Sequence, residues 1–323
     1  MWWLLASSLA LGAEGWDWRF ELGGELDARP NAIVEVGARK GDVALELLTS
    51  HLRASWTPSW SNGKAWISVD VEPGTAGMFF ERWVDGEPRG DLSTLAFAAG
   101  ATGGVQRFLP LGFYVGLEGQ SSFWWFVGLP DVRPEDVPTA RPFHTADAVV
   151  GFHRPWLQVW VRGGVDWTGG APSPHVEGRL ATDIPLVARP LLVVHTGWAD
   201  ATDEVSRTRV GGNNPYSIPL AGASWAEFWA EDYLAIRLGV EGGPVHAERN
   251  AWRVRLAADV VWADAIQGLG FGTTAGFGLV DRGRFVEAAV GWAPWLRSPG
   301  QPLALSAWVR AGVTWGKGLK PRT

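Results

Sequence analysis

The chain has 323 residues, of which 46% are hydrophobic and 19% charged, and its formal net charge is -6. This balance supplies enough apolar surface for a core or a lipid-facing belt and excludes a disordered chain. The absence of cysteine excludes disulfides, thiolate metal sites and thiol nucleophiles. Lys and Arg are scattered among Asp and Glu, so nucleic acid is not an expected partner.

The N-terminus has the pattern of a secretory signal. The apolar residues between Trp2 and Leu11 lead to small residues at Gly12 and Ala13. The alternative is a buried N-terminal strand or short helix, because this run is too short to span a bilayer. We predict a signal peptide at residues 1–13 and a single domain at 14–323, with the first strand directly after the signal.

The remainder of the chain predicts strands with one apolar and one polar face. Near the start, Trp18, Phe20 and Leu22 share one parity, and Arg19 and Glu21 share the other. A strand produces this alternation and a helix does not. The alternation recurs near residues 109–120, 157–167, 234–241, 252–262 and 303–315. These segments have the 9 to 11 residues, roughly, that a tilted strand needs to cross a bilayer.

No apolar run reaches the roughly 20 residues of a membrane-spanning helix, so a membrane location requires a closed barrel. We predict an all-β protein that forms a single antiparallel transmembrane β-barrel of about 14 to 16 strands. Tryptophans near the segment ends predict interfacial girdles: Trp56, Trp60, Trp66, Trp198, Trp262, Trp292, Trp295 and Trp315.

Turn-forming residues separate the predicted strands. Hairpin turns are predicted at residues 40–42, 61–64, 103–104, 169–170, 242–243 and 281–283. Longer polar or Pro-rich stretches at 73–92, 129–145 and 200–231 are predicted to be loops on the rims or folded into the lumen.

Charged residues fall on the parity opposite to the apolar residues, which in a barrel faces the lumen. The predicted lining comprises Arg19, Glu21, Glu118, Arg162, Asp166, Arg237, Glu241, Arg253, Arg255, Asp259 and Arg310. One interpretation is a charged pore that selects among ions or small solutes. The other is that opposite charges on neighbouring strands pair and fill a closed interior.

The sequence gives no indication of a catalytic, metal or cofactor site. The six His residues lack the close spacing of a ligand pair, and there is no Gly-x-Ser-x-Gly elbow. His195, or His144 near Asp147, is the kind of His that an outer-membrane hydrolase places with an acid at the barrel rim. We predict that the chain is not an enzyme and binds no metal or cofactor.

The most distinctive segment is a loop rich in Gly, Asn and Pro that contains Arg209, Gly211, Gly212, Asn213, Asn214, Pro215 and Tyr216. It resembles the Gly-Gly region of the long inserted loop of the surface-antigen barrels, which include BamA and the two-partner-secretion transporters. Five strands are predicted after it, as in that group. The stretch from Pro219 to Gly222 has no match to that loop's Arg-Gly-aromatic tip. The alternative is a turn-rich loop without that ancestry.

The final strand resembles the assembly signal of bacterial barrels in having Arg310, Gly312 and Trp315, although a short basic tail follows it. The resemblance implies insertion by the host's barrel-assembly machinery. It also implies an outer-membrane location after export, in contact with lipid and lipopolysaccharide.

Three functional hypotheses follow. The first is an outer-membrane channel or porin-like transporter with a charged lumen. The second is a closed structural or assembly barrel, plugged by the 200–231 loop and docking envelope proteins. The third, a soluble periplasmic β-sandwich or lectin-like protein, would need a very large dry core. The position of the 200–231 loop discriminates between the first two.

Overall fold

The computed structural model describes residues 16–26, 31–48, 51–72, 79–84, 87–168, 170–184, 186, 188–200, 208–211, 218, 220, 221, 223, 228–243, 251–266, 269–281, 283–293 and 305–315. The predicted signal peptide lies outside these residues. No helix in this part of the chain is both long and apolar enough to cross a membrane.

The described residues form twenty strands and two single 3-10 turns. The strands are β1 (Asp17–Leu26), β2 (Asn31–Lys40), β3 (Val43–Leu48), β4 (His51–Trp56), β5 (Ser59–Trp60), β6 (Gly63–Glu72), β7 (Phe79–Val84), β8 (Glu87–Phe108), β9 (Phe113–Gly128), β10 (Arg141–Arg154), β11 (Leu157–Trp167), β12 (Ser173–Thr182), β13 (Ala188–Ala199), β14 (Thr208–Val210), β15 (Phe228–Ala230), β16 (Tyr233–Gly242), β17 (Ala251–Ala263), β18 (Leu269–Asp281), β19 (Arg284–Trp292) and β20 (Leu305–Trp315). The 3-10 turns are Pro110–Gly112 and Pro134–Asp136.

Sixteen of the strands form a closed antiparallel barrel, as the sequence predicts. They are β1 to β4, β6, β8 to β13 and β16 to β20, and each pairs with its neighbours along the chain. The barrel closes where β1 pairs with β20, in a register that runs from Trp18 opposite Trp315 to Leu26 opposite Ala307. Of the other strands, β5 pairs with β6, β7 pairs with β8, and β14 and β15 form a small separate sheet.

The two ends of the barrel differ. At one, which we call the turn end, neighbouring strands are joined by short connections such as residues 41–42, 109–112, 155–156 and 282–283. At the other, the loop end, the connections include residues 129–140 and 200–232. The predicted loops at 73–92 and 129–145 are wrong in part, because β7, β8 and β10 extend into them.

The alternation of side chains confirms the predicted faces. Outward positions carry exposed apolar residues, such as Leu22 (50%), Leu238 (53%) and Leu256 (54%). Inward positions on the same strands carry buried charged residues, such as Glu21 (0%) and Asp259 (1%). An apolar outer surface around an ionic interior is the reverse of a soluble protein and is the pattern of a transmembrane barrel.

Two sequence predictions need correction. Gly103 and Gly104 lie inside β8 instead of in a turn. A Cβ at Gly104 would come within 2.3 Å of the Trp66 ring, so this glycine makes room for that ring. Trp66 itself lies on the inward face with Lys64 5.7 Å from its ring centre, so it is not part of an outer girdle. The outward Trp56 and Trp262 are 52% and 46% exposed, as a girdle requires.

Candidate functional site: the lumen and its loop

The charged residues predicted to line the lumen all lie on inward-facing positions, and all of them except Arg253 belong to three clusters of ion pairs. Whether they line an open pore stays a prediction. Their parity was readable from the sequence, whereas their partners depend on the register of neighbouring strands. The same parity places Glu35 inward, as the sequence indicates. The sequence analysis missed Glu177, Arg189, His175 and Glu287, although the parity rule also places them inward.

The first cluster lies across the junction between β20 and β1. Arg310 donates to Glu21 on β1 at 3.1 Å and to Glu287 on β19 at 2.7 and 2.9 Å. Next to it, Arg19 forms an ion pair with Glu35 on β2. Arg310, Glu21 and Glu35 are at most 4% exposed, so ion pairs that are shielded from bulk water connect the first and last strands of the barrel.

The second cluster lies on β13, β16 and β17. Arg237 donates two hydrogen bonds to the Asp259 carboxylate, at 2.6 and 2.8 Å. Towards the turn end, Arg255 donates to Glu241 at 2.7 and 3.1 Å. Arg189 forms an ion pair with the same glutamate.

The third cluster lies on β9 to β12. Arg162 donates to Glu118 at 3.1 Å and to Glu177 at 2.5 Å. Nearer the loop end, His175 lies between two aspartates: its Nε2 is 2.7 Å from Asp147 Oδ1, and its Nδ1 is 3.2 Å from Asp166 Oδ1.

Gly164 explains how this histidine can contact both strands. It lies on β11 between Asp147 on β10 and His175 on β12. A Cβ at Gly164 would come within 2.2 Å of Asp147 Oδ1. The missing side chain therefore lets the Asp147 carboxylate reach across β11 to the imidazole.

The described residues of the loop between β13 and β16 lie in the lumen. Leu220 and Val210 are both 0% exposed, and they pack with inward-facing residues of β16 and β17. The cluster comprises Val210, Leu220, Ala223, Ala230, Tyr233, Ala235, Val261, Ala263 and Ile266. The hydrophobic effect therefore holds the described part of the loop against one side of the inner wall.

Polar contacts fix the loop to the same side. The Ala221 amide donates to Asp259 Oδ2 at 2.9 Å, so this carboxylate holds both Arg237 and the loop. Ala221 also lies against β18, because a Cβ at Gly272 would come within 2.3 Å of the Ala221 oxygen. The Gly211 amide donates to the Ile218 oxygen at 3.1 Å and closes the base of the loop.

Only part of the predicted loop motif can be located. Arg209 lies on β14 opposite Trp229, and Gly211 has a φ of 128°, which favours glycine. Gly212, Asn213, Asn214, Pro215 and Tyr216 lie outside the described residues. Five barrel strands follow the loop, as predicted.

The histidines considered for catalysis lie on different faces. Residues 144 and 147 are separated by an odd number of positions, so Asp147 is inward and His144 is outward. His144 Nδ1 is 3.0 Å from Ser121 Oγ on the neighbouring strand. His195 is inward and opposite Arg179. Within the described ranges, no three His, Asp or Glu residues are grouped as a metal site would require.

Known structures share this architecture although their sequences differ. CdiB from Escherichia coli aligns with a TM-score of 0.67 and 10% identity, covering 94% of this chain and 63% of that one. CdiB from Acinetobacter baumannii aligns with a TM-score of 0.62 and 12% identity, covering 94% of this chain and 60% of that one. BamA from Haemophilus ducreyi, lacking POTRA domains 1–3, aligns with a TM-score of 0.58 and 9% identity, covering 94% of this chain and 71% of that one. The fold is that of the bacterial outer-membrane barrels of the BamA type.

The likeness is one of fold, because identities near 10% carry no further information. The chain spans 60% and 63% of the two CdiB chains it matches. No protein-family model matches the sequence, and no curated protein is significantly similar to it. The structural alignments with CdiB and BamA confirm the BamA-type likeness at the level of architecture.

Proposed function

We propose that this protein is an outer-membrane channel whose water-filled lumen is narrowed on one side by the 200–231 loop. The number of strands is the first support. Sixteen strands, spaced about 4.8 Å apart and tilted by about 40°, enclose a barrel on the order of 30 Å across. Side chains can fill a barrel of about eight strands but not one of this size.

The arrangement of the ion pairs carries the proposal. Arg237–Asp259 and Arg255–Glu241 each join β16 to β17, and Arg310–Glu21 joins β20 to β1. Each pair therefore lies along the wall between adjacent strands instead of crossing the barrel axis. Such a wall offers fixed charges to a passing solute and leaves space at the centre.

The loop supplies the constriction. Its described residues contact β16, β17 and β18, which form one sector of the wall. Because Asp259 contacts both Ala221 and Arg237, this part of the loop is attached to the charged wall. The 200–231 loop thus narrows the channel.

The cellular setting is part of the same proposal. A cleaved signal peptide at residues 1–13 exports the chain, and the host's assembly machinery inserts it. The apolar outer face, exemplified by Leu238 and Leu256, then contacts lipid and lipopolysaccharide. Detection of the full 1–13 segment on protein isolated from outer membranes would overturn the cleavage.

Permeability to graded solutes tests the channel. Liposomes containing the purified protein are placed in isosmotic solutions of sugars of increasing size, and swelling rates are recorded. The wild type should admit small sugars with a size limit, and a variant lacking residues 205–225 should raise that limit. Heat-modifiable electrophoretic migration verifies that both proteins are folded barrels. Absence of swelling in both folded proteins would refute the channel.

A second function is favoured by the loop's place in the barrel. The loop precedes the last five strands, and the overall fold is of the BamA type. A structural or assembly barrel that docks envelope proteins is the corresponding alternative. Impermeable liposomes, together with specific co-purification of envelope proteins that is lost on deleting residues 205–225, would support it.

A further inference from the structure

We propose that the lumen wall carries a binding site for a small oxyanion, a phosphate or carboxylate group, formed by Arg189, Arg253 and Arg255 near the turn end. This site deepens the proposed channel function by naming the class of solute. The binding can be measured without transport, so a failure of the binding site can be distinguished from a failure of the channel function.

Strand register brings these three guanidinium groups together. Arg189 on β13 is opposite Glu241 on β16, and Glu241 is opposite Arg255 on β17. One carboxylate therefore accepts hydrogen bonds or ion pairs from two arginines. Arg253 lies two residues from Arg255 on the same inward face and adds a third positive charge. Asp183 also contacts Arg189, at 3.4 Å, but its side chain is 65% exposed.

Arg253 is the residue that points to a ligand. Its Nε is buried and has no hydrogen-bond partner, and in the described part of the chain no carboxylate forms an ion pair with it. The residue opposite it is Gly278, and beyond that Glu287 accepts two hydrogen bonds from Arg310. A buried donor without an acceptor is unfavourable, and an oxyanion would satisfy it.

A cavity of about 30 Å³ lies beside two of these arginines, large enough for one oxygen of an oxyanion whose other atoms would lie in the lumen. This cavity in the inner wall is lined by Arg253, Arg255, Glu241, Thr274, Glu287 and Trp308. Arg189 does not line it and lies next to it through its ion pair with Glu241. Gly276 and Gly278 lie on its floor and contribute no side chains. The Arg255 side chain is 33% exposed, so the cavity is accessible from the lumen. The fork of a guanidinium group matches the paired oxygens of phosphate and carboxylate.

The charges around the cavity favour an anion of small size. Arg310 is shared by Glu287 and Glu21, and Glu241 is the buried carboxylate that faces Arg189, Arg253 and Arg255, so four arginines face three buried carboxylates. The surplus is therefore positive. The two carboxylates in the wall would repel a long polyanion, so free phosphate or a small carboxylate is favoured over an acidic stretch of polypeptide.

Calorimetric titration of the folded, detergent-purified full chain tests the site at low ionic strength. The probes are inorganic phosphate, succinate and an oligo-aspartate peptide. Arg253→Gln should weaken phosphate binding about tenfold, which corresponds to one charge-assisted hydrogen bond. Arg39→Gln is the matched control, because Arg39 is exposed at the turn end and, among the described residues, donates to the Gly41 oxygen nearby.

The outcomes separate the possibilities. Equal phosphate binding by wild type and Arg253→Gln, or no binding by the wild type, would overturn the site. Tighter binding of the peptide than of phosphate supports oxyanion recognition but assigns it to polypeptide cargo. If Arg253→Gln loses heat-modifiable migration, Arg255→Gln replaces it, since Glu241 then keeps Arg189. Impermeable liposomes with intact phosphate binding would refute the channel and leave the site standing.

Discussion

Replacing Leu220 by alanine should loosen the loop without unfolding the barrel. Leu220 is 0% exposed in the cluster that holds the loop to β16 and β17. Since lumen water can enter the space left behind, the cost is mainly the lost transfer free energy, about 2 kcal/mol. That cost should raise the ratio of detached to attached loop about 30-fold.

Limited trypsin digestion measures this ratio, because Arg207 and Arg209 provide cleavage sites within the loop. When detachment is fast relative to cleavage, the nicking rate follows the population of the detached form. Leu238→Ala is the matched control, since Leu238 lies on β16 but faces outward and is 53% exposed. Equal nicking rates in the two variants, both with wild-type heat-modifiable migration, would refute the packing described for the loop.

Three further predictions concern the faces and the close approaches. Val254→Arg, at an outward position, should lower the unfolding free energy by about 2 to 4 kcal/mol if it lies near the bilayer midplane; a denaturant titration in lipid vesicles that shows no loss would contradict the outward assignment. Gly272→Ala should displace the loop and speed its proteolysis, because the new Cβ would lie 2.3 Å from the Ala221 oxygen, whereas Gly37→Ala, with 3.8 Å to its nearest neighbour, should not; similar rates would contradict the contact. Gly104→Val should lower the thermal unfolding midpoint, since Trp66 occupies the space, and an unchanged midpoint would count against that packing.

The barrel could be predicted from the sequence because its two surroundings, lipid and water, impose opposite preferences on alternate residues. Leu238 and Arg237 are neighbours in the chain yet lie in opposite environments, so their order reveals the strand and its faces. Strand number followed from the turns, except where glycine has another role. Gly103 and Gly104 resemble a turn in the sequence. A glycine is needed at position 104 because the ring of Trp66, which is 38 positions away, occupies the space of a side chain.

The functional site was predictable only in part. Parity placed Arg255 and Glu241 in the lumen, but it could not show that Arg189 shares the same glutamate. That contact depends on the register of β13 against β16, which no local pattern specifies. The contact of His175 with Asp147 was equally hidden, since it needs a glycine on the strand between them.

Unitary conductance of the purified protein in planar lipid bilayers tests the central claim, that the lumen is open and the loop narrows it. The wild type should give discrete, reproducible steps, and deletion of residues 205–225 should increase their size while leaving heat-modifiable migration intact. Silence from both folded proteins would contradict an open lumen, and identical steps from both would show that the loop does not narrow the path.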